Sequence, residues 1–158
     1  MQSRDGDIRL CSLPVEAVSK YFGKNSAIEK DCEVLEITAR LSTSGEKSTK
    51  IRLSCNDGKY CEFGYDAVTK KLFIDRTMAW SDIPSSNVQT VEIGEAEDIL
   101  EILVIADRSS IEIFAAGGAY VLTDLILLPG TTRRVTFEEG TGFQPPLRLE
   151  TRTLVTPS

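Results

Sequence analysis

The residues with the most chemical character in this chain are two acid–base dipeptides, Asp75-Arg76 and Asp107-Arg108. Carboxylates accept hydrogen bonds from vicinal hydroxyl groups and guanidinium groups donate to sugar oxygens, so such residues can recognise a hydroxyl-rich ligand. Neighbours along a strand point to opposite faces, so neither Asp is expected to pair with its own Arg, and cross-pairing between the dipeptides stays open. The alternative interpretation is a structural cluster of ion pairs that joins strands or contacts another domain.

Glu112 and Trp80 are further candidates. Glu112 lies between two isoleucines that are predicted to face the core, so its side chain is expected on the opposite face. There it is either a solvated strand position or a partner of Asp107 or Arg108. Trp80 is the only tryptophan and falls in a predicted loop over residues 80–89. An exposed indole there can stack on a sugar, although a lone Trp more often packs in a core or an interface.

The full set of candidate binding residues is therefore Asp75, Arg76, Trp80, Asp107, Arg108 and Glu112. No catalytic residue is assigned. The chain has no histidine, which removes His-based triads, His general bases and most catalytic zinc arrangements. Ser109-Ser110 has neither a base nearby nor the glycines of a nucleophile elbow, and no helix follows Gly117-Gly118 to bind a phosphate. We expect no metal and no cofactor.

Composition limits the partners. The chain has 158 residues, 41% of them apolar and 27% charged, which is typical of one globular domain. Its net charge of −6 disfavours a nucleic-acid partner. The longest apolar runs, at 102–106 and 125–129, are too short to span a membrane, so no membrane partner is expected. Residues 1–7 lack the apolar core of a signal peptide, and localisation stays open.

Four cysteines, Cys11, Cys32, Cys55 and Cys61, can form two disulfides or remain free. Their low density is not that of a disulfide-held scaffold, and the sequence favours free buried thiols. There is no CxxC motif, so a structural zinc site is not expected. The oxidation state of the thiols, and with it the compartment, stays open.

Periodicity predicts one short helix followed by strands. Over residues 13–23, Pro14 stands at a helix-opening position, apolar residues recur at 3 and 4 spacing, and Gly23 ends the run. From residue 32 the period changes to two, beginning with Leu35, Ile37, Ala39 and Leu41. The same alternation returns in five later pairs of positions: 51 and 53, 91 and 93, 111 and 113, 135 and 137, and 147 and 149. In the last of these runs, Arg148, Glu150 and Arg152 share one face and predict a charged edge strand.

Turn residues separate these runs, for example Asn56-Asp57-Gly58 and Ala116-Gly117-Gly118. Residues 99–106 and 120–128 are apolar at nearly every position, which predicts strands covered on both faces. About ten strands and one helix predict an all-β fold, an antiparallel two-sheet β-sandwich of the jelly-roll or concanavalin type, with a closed barrel as the alternative. We expect residues 1–30 to form an interdomain linker with the helix, and residues 31–158 the sandwich module.

Two pairs of segments resemble a known family. They are Phe63–Asp66 (FGYD) with Leu72–Arg76 (LFIDR), and Ala106–Phe114 (ADRSSIEIF) with Tyr120–Ile126 (YVLTDLI). In order and spacing they resemble the C-terminal β-sandwich of glycoside hydrolase family 32, the invertase, levanase and inulinase family. Pro14-Val15-Glu16 and the helix after it resemble the joint by which that module leaves the catalytic β-propeller. The resemblance covers residues 8–130.

The catalytic half of that family is absent from the sequence. Its WMNDPNG-like, RDP and EC segments, which carry the two acids and the general acid/base, do not occur here. The resemblance implies a non-catalytic module of a β-fructofuranosidase that stabilises the missing propeller and mediates oligomers such as a homodimer. The alternative is a stand-alone fructan-binding module for levan, inulin or fructose. A third hypothesis, an unrelated small acidic hydrolase, requires a pair of carboxylates whose pKa values are pushed apart.

Overall fold

Alternating residues form strands nearly throughout the computed structural model, which describes residues 2–4, 7–19, 21–23, 29–79, 87–94 and 98–153. The elements in chain order are β1 Gln2–Arg4, β2 Asp7–Arg9, α1 Glu16–Ser19, β3 Glu29–Asp31, β4 Leu35–Ser42, β5 Thr49–Ser54, β6 Tyr60–Asp66, β7 Lys71–Asp75, β8 Val88–Glu92, β9 Ile99–Ala106, β10 Ser110–Ala115, β11 Tyr120–Leu125, β12 Thr132–Phe137 and β13 Arg148–Thr153.

The strands pair antiparallel in two large sheets and one small one. A five-stranded sheet has the order β11-β10-β9-β4-β13, a six-stranded sheet has the order β3-β12-β5-β6-β7-β8, and β1 and β2 form a two-stranded sheet. The two large sheets enclose one apolar core between them. The predicted antiparallel two-sheet sandwich is therefore confirmed. The alternative closed barrel would need one continuous ladder, whereas the described strands keep two separate sheets.

The core follows the predicted alternation. In β4 the side chains of Leu35, Ile37, Ala39 and Leu41 are all buried, and they face the inner side chains of the six-stranded sheet. Each such aliphatic side chain stabilises the fold by about 1.5–3 kcal/mol relative to an exposed position. β9 lies in the middle of its sheet, between β10 and β4, as predicted for a strand that is apolar at nearly every residue.

Two details of the alternation differ from the prediction. Phe137, expected to face the core like Val135, is 41% exposed because it stands at the last position of β12. Glu36, expected on the wet face of β4, is buried, and Arg152 compensates its charge by donating from Nε to its Oε1 at 2.6 Å. The predicted edge role of β13 is confirmed, with Arg148, Glu150 and Arg152 along one face.

The prediction that residues 120–128 are covered on both faces is wrong. β11 lies at the edge of the five-stranded sheet, and its residues alternate between buried and exposed from Val121 onward. Leu122 and Asp124 face the core, whereas Val121 and Leu125 face outward. An uninterrupted apolar run therefore does not distinguish a central strand from an edge strand whose outer face is also apolar.

The N-terminal segment lies on the outer face of the five-stranded sheet. We call residues 10–19 and 21–23 the strap. Its first end is held by Ser12 N, which donates to Gly118 O at 3.0 Å in the β10–β11 turn, and its last by Gly23 N, which donates to Thr153 O at 2.9 Å on β13. The helix predicted over 13–23 is a single turn, α1, after which Phe22 is buried against the sheet.

Two glycines permit close backbone approaches. A Cβ on Gly64 would lie 1.9 Å from the carbonyl oxygen of Thr49, and a Cβ on Gly118 would lie 2.1 Å from that of Ser12. Gly118 also has a φ of +82°, a left-handed conformation that other residues rarely adopt. Gly64 therefore allows β5 and β6 to pair, and Gly118 allows the strap to dock.

Cys55 and Cys61 are free thiols buried in the core, and Cys11 and Cys32 are half-buried. Of the predicted loop over residues 80–89, residues 80–86 lie outside the described residues, whereas Val88 and Gln89 belong to β8 and pair with β7. Among the described residues, no helix has the length and hydropathy that a membrane crossing requires.

Candidate functional site

The dipeptide Asp75-Arg76 ends β7, and its two side chains have separate roles. Asp75 Oδ1 accepts a hydrogen bond from Thr77 N at 2.9 Å, which turns the chain away from the sheet. The Arg76 side chain is fully buried and places Nε 3.1 Å from Asp124 Oδ1. Since β7 belongs to the six-stranded sheet and Asp124 to β11, this ion pair joins the two sheets across the core. A guanidinium group in that position does not reach a ligand in solution.

Asp124 is the residue that the sequence analysis missed. It lies in the YVLTDLI segment, and the available signal was a charged residue at an inward position of an otherwise apolar strand. Besides the ion pair, its Oδ1 accepts a hydrogen bond from Leu125 N at 2.8 Å. Its Oδ2 is buried and has no hydrogen-bond partner among the described residues. Taking both charges out of water is costly, and their mutual attraction offsets part of that cost.

Asp107 shapes the turn between β9 and β10. Its Oδ1 accepts hydrogen bonds from the backbone N of Ser109 and of Ser110, each at 2.6 Å, and from Ser109 Oγ at 3.1 Å. Burial alone would raise the pKa of this carboxyl, but these hydrogen bonds outweigh it and lower the pKa below its ordinary value. The carboxylate therefore stabilises the turn as an anion.

Arg108 and Glu112 do not pair with each other or across to Asp75-Arg76. Arg108 Nη1 lies 3.3 Å from Glu33 Oε1, with both side chains more than half exposed, so this ion pair contributes little to stability. Glu112 faces outward on β10, opposite Ile105 of β9 and Thr123 of β11. It is half-buried among these neighbours. Trp80 lies outside the described residues.

The predicted residues thus fall into two groups. Asp107, Arg108 and Glu112 share one hairpin of the five-stranded sheet, whereas Asp75 and Arg76 end a strand of the six-stranded sheet. The cross-pairing that the sequence left open is replaced by the pairs Arg76–Asp124 and Arg108–Glu33.

A groove that the sequence did not indicate lies beneath the strap. It has a volume of about 330 Å³, with Leu13 of the strap on one side and Leu103 and Phe114 of the sheet on the other. Its rim carries two ion pairs: Arg40 Nε lies 3.3 Å from Glu101 Oε1, and Arg148 Nε donates to Glu150 Oε1 at 2.8 Å. The charges of the rim are thus compensated within the module, and the walls of the groove are mainly apolar.

No described carboxyl group has a raised pKa of the kind that a general acid needs. Retaining glycosidases place two carboxyl groups about 5 Å apart and raise the pKa of one of them. Among the described carboxyl groups, the resolved pKa shifts are all downward. That of Asp57 is lowered by the Cys55 thiol, and those of Asp66 and Asp107 by hydrogen bonds that outweigh burial. No cluster of Cys, Asp and Glu among the described residues is suited to a metal ion.

Comparison with known proteins decides the family. Residues 14–148 match the family described as "Glycosyl hydrolases family 32 C terminal". The chain belongs to glycoside hydrolase family 32, as a C-terminal domain. The resemblance carried by the FGYD, LFIDR and ADRSSIEIF segments is confirmed, and Gly64, Arg76 and Asp107 of this family 32 module have the structural roles described above.

Relatives of the family 32 module are much longer than it is. Levanase of Bacillus subtilis (strain 168) is 28% identical over 101 residues, which cover 60% of this chain and 15% of the levanase. The fold is also that of an exo-inulinase from Aspergillus awamori, with a TM-score of 0.74 and 18% identity over 97% of this chain and 34% of the inulinase. A sucrose-6-phosphate hydrolase from Lactobacillus gasseri gives a TM-score of 0.68 at 20% identity, with 98% and 32% covered.

Proposed function

We propose that this module is the non-catalytic accessory domain of a β-fructofuranosidase that acts on sucrose, levan or inulin. The match of residues 14–148 to the C-terminal part of family 32 is the observation that carries the proposal. The relatives named for levan, inulin and sucrose-6-phosphate support the substrate class. The module would hold the catalytic β-propeller in its folded state and would also associate with a second copy.

The strap is the surface that we assign to the propeller. Leu10, Leu13, Val15 and Tyr21 are each half exposed or more, with Leu10 at 85%. Four large apolar side chains within so short a segment favour a protein partner that covers them. Residues 1–30 would be the interdomain linker, with its last two residues, Glu29 and Lys30, already paired in β3 of the sandwich. The groove beneath the strap continues this apolar surface, and its compensated rim charges allow a side chain of the propeller to enter.

Such docking would stabilise the propeller by linkage. A partner that binds only the folded state of the propeller lowers the population of its unfolded state in proportion to the strength of the contact. Each Å² of apolar surface that the contact removes from water contributes roughly 25 cal/mol to its favourable free energy. The accessory role therefore predicts that changes on the strap lower the thermal stability of the catalytic domain without touching its reacting residues.

The activity test uses the chain as it is. The purified chain is incubated with sucrose, inulin and levan, and released fructose is measured. We expect no release because the sequence lacks the WMNDPNG-like, RDP and EC segments of the catalytic half. Turnover that persists after repeated purification would overturn the non-catalytic role.

The docking test uses the longer polypeptide in which this module follows a propeller. We expect the double variant Leu13→Asp, Val15→Asp to lower the melting temperature of the propeller, since two charges would face the apolar contact. Thr136→Asp places a negative charge at an exposed position of β12. It is the control for an added surface charge, and it should leave the melting temperature unchanged. Equal melting temperatures for all three proteins would contradict the assignment of the strap.

A stand-alone fructan-binding role needs its candidate residues on one accessible surface. Arg76 is buried and the Asp107 carboxylate is held in a turn, so we favour the accessory role. Titration calorimetry of the chain with levan and with fructose is expected to give flat heats. A binding heat that disappears in Asp107→Ala would reverse this preference.

A further inference from the structure

The turn between β5 and β6 contains an Asp–Gly pair, Asp57-Gly58, the only one among the described residues. Because glycine has no side chain, its backbone nitrogen can approach the carboxyl carbon of the preceding Asp with little hindrance. Asp57 and Gly58 are both exposed, and a Cβ on Gly58 would have no atom within 4 Å. The turn therefore has room for the succinimide ring that joins these two groups, and water can reach it.

Two donors hold the Asp57 carboxylate. Its Oδ1 accepts hydrogen bonds from Cys55 Sγ at 2.7 Å and from Lys59 N at 3.1 Å. These bonds lower the pKa of the carboxyl, and the bond from the thiol has the largest effect. A carboxylate resists attack by a nucleophile more than the neutral acid does, because its negative charge is spread over both oxygens. Both hydrogen bonds therefore oppose ring closure.

The attacking nitrogen is held less firmly than the carboxylate. Gly58 N donates to Cys55 O at 3.3 Å, which is longer than an ordinary N–H···O bond in proteins. The φ of Gly58 is +82°, a conformation that glycine adopts freely, so the backbone can turn this nitrogen towards the carboxyl group without strain. The restraint on the reaction thus lies mainly at the carboxylate, and the buried Cys55 side chain supplies the larger share of it.

We propose that Asp57-Gly58 is a site of isoaspartate formation, and that the Cys55 thiol slows the reaction there. Gly58 N forms a bond to Asp57 Cγ, and the carboxyl hydroxyl leaves as water with the amide proton, which gives a succinimide. Water then adds to the main-chain carbonyl of Asp57 and breaks its bond to Gly58 N, so that the chain continues through the Asp57 side chain. No atom is oxidised or reduced, and this reaction is independent of the proposed function.

The product would disturb the hairpin of β5 and β6. The chain becomes one methylene longer at position 57, and the oxygen that accepts from Cys55 Sγ and Lys59 N is displaced. Leu53 and Cys61 pair across this hairpin close to the turn, and Cys55 belongs to the core shared by the two sheets. Isomerisation should therefore lower the stability of the module and expose the Cys55 thiol.

Ageing of the whole chain at neutral pH tests the proposal. Peptide mapping measures isoaspartate at Asp57 and, as a reference within the same chain, at Asp5, which Gly6 follows. We expect Cys55→Ala to raise the rate at Asp57 about fivefold, since one hydrogen bond is lost, and to leave the rate at Asp5 unchanged. Cys55→Ser keeps a donor and should isomerise close to the parent rate.

Cys61→Ala is the matched control for the loss of a buried thiol. It removes the same atoms from the same hairpin, whereas the Cys61 thiol donates to Glu62 O. We expect Cys61→Ala to leave the rate at Asp57 unchanged. In urea, where the turn is lost, the parent chain and Cys55→Ala should isomerise at the same rate.

Two results would overturn the proposal. If neither the parent chain nor Cys55→Ala forms isoaspartate at Asp57 while Asp5 is modified, the pair is not a modification site. If Cys55→Ala and Cys61→Ala isomerise at equal rates, the contact of the Cys55 thiol with Asp57 does not slow the reaction. Neither measurement involves a sugar or a second domain, so failure of this proposal and failure of the accessory role are distinguishable.

Discussion

At the scale of residues, the most informative contact is the buried pair of Arg76 and Asp124. The sequence marked Asp75-Arg76 and Asp107-Arg108 as special, and it correctly allowed a structural ion pair that joins strands. It did not give the partner, because Asp124 is distant in sequence and only the stacking of the sheets brings it to Arg76. Contacts between the sheets depend on sheet order, and a strand pattern does not contain that information.

Arg76→Met is expected to destabilise the module strongly. Removing one member of a buried ion pair leaves an uncompensated charge in the core, which costs about 3–5 kcal/mol. The double variant Arg76→Met, Asp124→Leu removes both charges and should recover most of that loss. Urea unfolding of the three proteins measures the effect. A double variant no more stable than the single one would contradict the account of the pair.

Acid should weaken the turn at Asp107. The pKa of its carboxyl is lower in the folded chain than in the unfolded one, so its contribution is present above the unfolded value, about 4, and is lost as the pH falls through the folded value. Asp107→Asn keeps an acceptor oxygen but has no charge to titrate. We expect its unfolding free energy to fall less steeply below pH 4 than that of the parent chain. Identical slopes would show that Asp107 does not carry the effect.

At the scale of elements, periodicity predicted well which residues form strands, and it predicted poorly where each strand lies in its sheet. β4 and the charged edge strand β13 have the predicted faces, since period two and charge are local properties. β11 was placed wrongly because its outer face is apolar although it lies at an edge. The strap, predicted as a helix, is joined to distant turns and strands by two backbone hydrogen bonds and by the buried ring of Phe22. Such long-range anchors leave no periodic signal.

Gly118→Ala is expected to detach the first end of the strap. The new Cβ would lie 2.1 Å from the carbonyl oxygen of Ser12, so that carbonyl must move. Gly130→Ala is a matched control, because Gly130 has a similar φ of +73° but no atom within 4 Å of its Cβ. Hydrogen exchange over residues 10–19 should become faster only in Gly118→Ala. Equal exchange in both variants would mean that the contact with Ser12 does not hold the strap.

At the scale of the whole molecule, the family could be predicted from the sequence and the binding role could not. The FGYD, LFIDR and ADRSSIEIF segments identify the family because they set a turn, a close backbone approach and a buried arginine. The candidate binding residues do not form one site, because they have these structural roles on two different sheets. A motif alone does not separate a structural Asp from one that binds a ligand.

Thiol reactivity should report on global unfolding. Cys55 and Cys61 are buried in the core shared by the two sheets, and burial raises the pKa of both thiols, most strongly that of Cys61. The thiolate is the reactive form, so both should be inert towards a thiol reagent in the native state. In increasing urea their modification should follow the loss of circular dichroism. Rapid modification of either thiol without urea would contradict the single shared core.

The strap also determines where this module can be cut. Arg152 extends over the ring of Phe22 and bonds to Glu36, which is 3% exposed. A truncation that begins at residue 31 would remove Phe22 and open that carboxylate to solvent, and it would delete most of β3. We therefore expect a fragment that begins before Ser12 to be more stable than one that begins at residue 31.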